Sequence, residues 1–327
     1  MIKLINLLKE IQNGSKKAII MAGAAGVGKG TFITNVKNKY PQAKILNPDD
    51  FYIPKLKEKG VSLDLKNVFK SSPESISKAA QAMGSARGDY EKEIQSSLDN
   101  PILIFDITSN SYGPIVKLKT RLEESGYEVM MVYLYAPLAT VLKRNDSRYL
   151  NTKGEDRSIQ PTAVLDTWKG VTENFDNYKQ LFGDNFIAST TDDSSVTSES
   201  FEELKKKYIE PYTPSSKTID LPKEVEDDFN EKIKSLGLLN PYEIRKLKQK
   251  ALEFYTKNKN FMPLSNKKPF GFKENLNSIK KQFEKDKEEK KEFLKLLEPN
   301  NPIIKNIIDN SKTKDEVLNK TNEFLKK

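Results

Sequence analysis

Residues 16–36 read KKAIIMAGAAGVGKGTFITNV. The unbroken apolar run from Ala18 to Ala22 has the pattern of a strand buried on both faces of a parallel sheet. Glycines at 23, 26 and 28 follow at once, and from Thr31 the apolar positions Phe32, Ile33 and Val36 fall at helical spacing. A strand, a glycine-rich turn and a helix in that order make a phosphate-binding loop. Small residues let successive backbone N–H groups face phosphate oxygens, the helix adds its positive end, and Lys29 reaches the β and γ phosphates. The expected nucleotide cradle is Gly23, Ala24, Ala25, Gly26, Val27, Gly28, Lys29, Gly30 and Thr31. A turn that bound nothing would have no use for a lysine at position 29.

Working outward, Lys44 to Leu46 leads into NPDDFY as a second strand, which sets Asp49 and Asp50 beyond its carboxyl end. Ligands of an open parallel sheet sit at that end, so both carboxylates share a cleft with the phosphate loop. Asp49 is the expected base for a substrate hydroxyl and Asp50 a substrate contact. An aspartate pair after Pro48 also suits capping of the next helix. PILIFDIT supplies a third strand ending at Asp106, a magnesium candidate, with Thr108 on the lip of the cleft. YEVMMVYLYA from Tyr127 and NFIAST from Asn185 make the fourth and fifth strands. Strands alternating with helices predict one parallel sheet with right-handed crossovers.

After the fourth strand, LATVLKRNDSR carries Arg144 and Arg148 on one helical face, and Arg157 follows in GEDRSIQP. Three arginines in a region otherwise served by lysine read as planar donors gathered for phosphate, although Asp146, Glu155 and Asp156 stand close enough to pair with them. This stretch, about 144–161, is the expected lid. One helix is expected from Pro161 through Trp168 to Tyr178. Between Pro54 and Asn100 lies a mostly helical insert whose one arginine, Arg87, is an acceptor-site candidate.

The chain has 327 residues, 55 Lys and Arg against 46 Asp and Glu, and no His or Cys. Disulfides, Cys or His zinc sites, thiol nucleophiles and histidine bases are therefore excluded, and protons must move through carboxylates, Tyr, Lys or water. Residues 1–204 carry 26 basic and 26 acidic side chains, whereas 205–327 carry 29 and 20. The organisation this predicts is a neutral α/β domain over 1–204, a linker over 205–222 marked by EPYTPSSK, and a small basic all-α region over 223–327. Spaced apolar positions such as Phe229, Ile233 and Leu236 argue helices there, and Phe261, Phe270 and Phe272 sit among lysines. That surplus suits solubility, a protein partner or a nucleic acid. The N-terminal segment MIKLINLLKEIQNG is amphipathic and lacks the apolar core of a signal peptide, and no run reaches the length of a membrane span. The expectation is a cytoplasmic protein of a bacterial or phage-infected cell, with no membrane partner.

Taken together, GAAGVGKGT, NPDDF, FDIT and the pair KRNDSR and DRSIQP resemble the zeta-toxin family of P-loop kinases, its phage members especially, over roughly 16–190. The GxxGxGKGT form is also that of nucleoside monophosphate kinases, and by that likeness Thr31, the first hydroxyl after Lys29, belongs to the magnesium site. The resemblance implies a P-loop kinase fold of about five parallel strands with flanking helices. It further implies ATP and Mg2+ as cofactors and a γ-phosphate transferred to a hydroxyl of a small molecule or sugar nucleotide; the family's studied toxins use UDP-N-acetylglucosamine. Lys29 matches the family's lysine, Asp49 its catalytic aspartate, and Arg148 and Arg157 its lid arginines, with Arg144 a third, nucleotide-side option. The chain departs from the family after the aspartates: Phe51, Tyr52 and Ile53 stand where relatives tend to place an arginine, which leaves Arg87 or Lys55 to hold any acceptor phosphate. Two other functions are compatible with these motifs. One is a polynucleotide 5′-hydroxyl kinase with strand affinity in the basic tail; the other is a non-catalytic ATP clamp engaging a partner protein.

Overall fold

The computed structural model describes residues 16–70, 73–191, 201–212, 291–298 and 300–326, with single positions 226, 248, 285 and 288. The chain divides into two compact units, one of residues 1–212 with 296–327 and one of residues 213–295. In the second, Lys248 pairs with Glu226 at 3.1 Å. The expected helices around Phe229 and the aromatic and lysine stretch near Phe261, Phe270 and Phe272 lie outside the described residues, as do the N-terminal amphipathic segment and the part of the expected linker 205–222 that runs from 213 onward.

The first unit is built on a parallel sheet in the order β2-β3-β1-β4-β5-β6. Its strands are β1 (Lys16–Ala22), β2 (Lys44–Leu46), β3 (Ile102–Phe105), β4 (Tyr127–Tyr135), β5 (Phe186–Thr190) and β6 (Ser311–Lys312). In register, Ala18 faces Leu103 on one side and Val129 on the other. Ala18 to Ala22 are wholly buried, as an apolar strand covered on both faces requires. Helices α1 (Lys29–Lys39), α2 (Asp49–Glu58), α3 (Pro73–Ser96), α4 (Tyr112–Glu124), α5 (Leu138–Asn151), α6 (Pro161–Glu173) and α7 (Phe175–Phe182) carry the chain between strands. The chain leaves β1 toward β2 past β3, and leaves β3 toward β4 past β1. The topological switch, and with it the crevice, therefore lies at the carboxyl ends of β1 and β3.

Two expectations change. The single helix expected over 161–178 is two, because Asn174 ends α6 and starts α7. Its Nδ2 donates to the Gly170 carbonyl at 2.8 Å, a local bond that competes with continuing the helix. The sheet also has six strands rather than five. The sixth comes from the C-terminal region that the sequence reads as all helical, and it pairs with Ala188 and Ser189. β6 is flanked by α9 (Pro302–Asn310) and α10 (Lys314–Lys326), the helical turns over 201–212 containing α8 (Phe201–Leu204).

Both C-terminal helices are explicitly capped. The Asn301 side chain accepts N–H bonds from Ile303 and Ile304, and Pro302 opens α9. Thr313 and Glu316 form a reciprocal box ahead of α10, the Thr313 N–H donating to Glu316 Oε2 and the Glu316 N–H to Thr313 Oγ1. Ile307, Val317 and Phe324 are buried, the Tyr40 hydroxyl donates to the Asn322 carbonyl at 3.0 Å, and the Lys17 ammonium lies over the Phe324 ring. A second apolar cluster joins α2 to α3 through Tyr52, Leu56, Leu63, Ala82 and Ala86, with Tyr149 of α5 packed on it. This cluster fixes the helix that begins at Asp49. Among the described residues no helix is long and apolar enough to cross a membrane.

Candidate active site

The phosphate loop is shaped from behind. A Cβ on Gly23 would come within 2.7 Å of the Leu134 carbonyl oxygen, and Gly28 opens α1 at φ +104°, a conformation that disfavours side chains. The loop carbonyls turn inward. Gly23 O and Ala24 O accept from Lys29 Nζ at 2.9 and 3.2 Å, while Val27 O accepts from Thr191 Oγ1 at 2.5 Å and Arg144 Nη1 at 3.2 Å. The Gly23 N–H is tied to the Thr108 carbonyl at 3.1 Å. From Ala25 to Thr31 only the Val27 N–H finds an acceptor among the described residues. A row of backbone donors without acceptors among the described residues, at a helix start with a lysine across it, is an arrangement that suits an anion.

Burial lowers Lys29 from 10.5 to about 8, opposed by Asp106 and Asp49 and assisted by Arg148. A cation kept at such a cost is one that an incoming anion stabilises. The Thr31 hydroxyl is exposed and makes no hydrogen bond among the described residues.

The carboxylates stand at the neighbouring strand ends. Asp106 follows β3, its N–H donating to the Leu46 carbonyl at 3.0 Å, and its carboxyl is raised, first by burial and then by Asp49, against the pull of Lys29. Asp49 opens α2, with its N–H on Asn47 Oδ1 at 2.9 Å. Asn47 Nδ2 donates to Asp106 Oδ2 at 3.4 Å, so one side chain links the backbone at Asp49 to the Asp106 carboxylate. Asp50 is the more exposed of the pair, and partial desolvation of its carboxyl, then the Asp49 charge, raise it against the pull of Lys44.

The arginines reach different places. Arg157 meets Asp49 Oδ1 through Nε at 2.9 Å and Nη2 at 2.7 Å, its guanidinium over the Tyr52 ring. Arg148 Nε donates to Asp156 Oδ2 at 2.5 Å, and its charge is felt at both Lys29 and Asp106. Arg144 is spent on the protein, bonding Gly26 O, Val27 O and both oxygens of Thr191, and so braces the phosphate loop. Arg87 is exposed on α3 without a hydrogen bond or ion pair among the described residues, one helical turn from Tyr90, which packs edge-on to Phe51. Lys55, the other candidate for an acceptor phosphate, pairs with Asp89 at 2.7 Å. The Thr108 hydroxyl donates to Asn110 Oδ1, and its carbonyl rather than its hydroxyl meets the loop.

The zeta-toxin family profile matches residues 5–199. The chain belongs to the zeta-toxin family. The zeta-toxin match and the donor row of the loop together support a P-loop phosphotransferase that uses a nucleotide. Among solved structures, the chain is similar to one from the PezAT chromosomal toxin-antitoxin system of Streptococcus pneumoniae, at 16% identity over 77% of this chain and 93% of that one, with a TM-score of 0.36. It is also similar to the Deinococcus radiodurans tunicamycin resistance protein, at 19% identity over 53% of this chain and 86% of that one, with a TM-score of 0.28. No curated protein sequence matches.

Sequence reasoning missed Asn47, Asn145, Ser158 and Thr191. Asn47 had a local signal, an Asx turn two residues ahead of Asp49. The other three act through partners distant in the chain, which no spacing reveals.

Proposed function

We propose that this chain is an ATP- and Mg2+-dependent kinase that moves the γ-phosphate to a hydroxyl of a small molecule or sugar nucleotide. The observation that carries the reading is the convergence of Lys29, Asp106, Asp49 and Arg157 around the unsatisfied N–H groups of the loop. Lys29 and the backbone donors of Ala25 to Thr31 hold the nucleotide phosphates and position them for in-line transfer. Asp49, freed from Arg157, accepts the hydroxyl proton of the acceptor; Arg157 and Arg148 turn to the transferring charge, exchanging a carboxylate oxygen for a phosphate oxygen.

The residues fit magnesium. Asp106 is a half-buried carboxyl raised by its surroundings with Asp49 and Asp50 near, a repulsion that a divalent cation relieves, and Thr31 presents a free hydroxyl. Among the described residues no cluster of three or more acidic side chains is preformed for a metal. Asp106 and Thr31 would thus hold an ion whose remaining ligands are phosphate oxygens and water. Bound there, magnesium supplies neutralisation of charge on the phosphates.

The test is transfer from γ-labelled ATP to a panel of UDP-sugars, nucleosides and 5′-hydroxyl oligonucleotides, with Lys29→Ala and Asp49→Asn alongside. Label should appear on a small-molecule acceptor and be lost in both variants, each retaining the fold. Label confined to oligonucleotides would replace this acceptor class with the polynucleotide one. Full transfer by Asp49→Asn would reject that aspartate as base.

A further inference from the structure

We propose that Ser158 and Asn145 are positioning residues that hold Arg157 against Asp49, a reading that rests on Arg157 acting in the lid as argued above. Arg157 lies between the end of α5 and the start of α6, in a stretch without regular secondary structure. A long side chain on such a stretch would ordinarily sample many rotamers. Here both chain neighbours are fixed. On one side, Asp156 accepts from Arg148 Nε and from the Arg157 N–H at 2.7 Å, and its own N–H donates to Thr152 Oγ1. On the other, Ser158 is wholly buried. Its N–H donates to the Leu63 carbonyl at 3.0 Å, and its hydroxyl donates to Asp64 Oδ1 at 2.8 Å and accepts the Lys66 N–H at 3.1 Å.

The next residue is clamped as firmly. Asn145, 2% exposed, receives the Ile159 N–H on Oδ1 at 2.9 Å and donates from Nδ2 to the Ile159 carbonyl at 2.7 Å. The amide thereby imitates a paired strand. The buried Lys66 ammonium donates to the carbonyl of Asp146, beside Asn145 in α5, at 2.8 Å. The chain on the far side of these bonds, 63–66, begins five residues after the end of α2, the helix that starts with Asp49. Lid and base are therefore tied together twice, once through Arg157 on Asp49 and once through this buried polar cluster. The second tie fixes the geometry of the first. Placement at this level is what separates a productive constellation from a loose one.

The test uses the full chain labelled with 15N-arginine. Its arginines number six, at 87, 121, 144, 148, 157 and 245, and Arg157→Lys assigns the Nε–H signal of Arg157. That proton should be protected in the parent, and Ser158→Ala or Asn145→Ala should speed its exchange about tenfold or more, since local opening is what it reports. With an acceptor in hand, Ser158→Ala should lower kcat about tenfold at unchanged KM for ATP, and should cost nothing more in an Arg157→Ala background. Should Ser158→Ala fail to fold, Asn145→Asp keeps the size of the side chain and the bond from the Ile159 N–H while removing the bond to its carbonyl. Unchanged Nε–H protection in the folded variants, or equal losses of kcat in both backgrounds, overturns the proposal. Full transfer by Arg157→Ala alone would instead remove the lid role of Arg157 and leave the exchange result to judge the positioning.

Discussion

Replacing Lys29 with methionine should abolish transfer, leave stability at neutral pH near that of the parent, and let the variant fall behind the parent as pH rises. A fall of the lysine from 10.5 to about 8 means that the fold disfavours its charged form by about 3 kcal/mol. Methionine keeps the stem and removes that charge. It also removes two hydrogen bonds, to the carbonyls of Gly23 and Ala24, worth about 1.5 kcal/mol each because the donor is charged. The two effects nearly cancel at pH 7, which leaves Tm within roughly 2–4 °C of the parent for a unit of this size. The balance shifts with pH. Between 8 and 10.5 the unfolded chain keeps the lysine proton that the folded chain has released, so the parent gains stability as pH rises and the variant does not share that gain. The difference in favour of the parent should grow by about 2–3 kcal/mol from pH 7 to pH 10. Urea melts of both proteins at pH 7, 8, 9 and 10 give the difference directly, with the other titrating groups cancelling. ATP with magnesium should raise the midpoint of the parent alone, because only the parent recovers its buried charge. A difference in stability that stays flat from pH 7 to pH 10 would refute the claim that Lys29 is held at a cost.

Further tests probe the frame of the site. Gly170→Ala places a Cβ 2.4 Å from the Asn110 carbonyl oxygen, so it should lower stability by about 1–3 kcal/mol in urea melts and weaken ATP binding through the Thr108 link to Gly23. Truncation after Glu298 removes the buried Ile307, Val317 and Phe324, each worth about 1.5–3 kcal/mol, and should leave the kinase unit unfolded or melting well below the parent by circular dichroism. Arg87→Ala should change stability by less than about 0.5 kcal/mol, given its exposure, and raise the acceptor KM without lowering kcat; unchanged acceptor KM would take Arg87 out of the substrate site.

What the sequence revealed and what it concealed divide along a physical line. Glycines, lysine and the flanking apolar run act within 20 residues of one another, so the loop and its strand are written locally. Asp49 and Asp106 were legible because a parallel sheet collects the ends of its strands. β6 left no signal, since Ser311 and Lys312 have neither apolar alternation nor strand propensity and are placed by the helices on either side. Ser158 and Asn145 are polar residues in a polar stretch, where composition predicts surface; their burial follows from partners up to 94 residues away. The phosphate role expected of Arg144 meets a guanidinium already bonded to the loop carbonyls and Thr191. Nothing in its helical spacing distinguishes bracing a loop from touching its ligand.

The family match ends at residue 199, yet the sheet takes its last strand from 311–312. Between the two anchored parts of the first unit run residues 213–295. Closing so long an excursion costs about 4 kcal/mol of chain entropy by the logarithmic law, and doubling its length would add only about 0.6 kcal/mol more. Against that stand Ile307, Val317 and Phe324, whose burial contributes about 5–9 kcal/mol, reduced by about 10–40% for a compact unfolded chain. The closure cost thus stays at about 4 kcal/mol however long the excursion is, the same size as the burial of these three side chains. A strand at the rim of the sheet can be supplied by distant sequence under these terms, because a longer detour adds little to the cost of closing it.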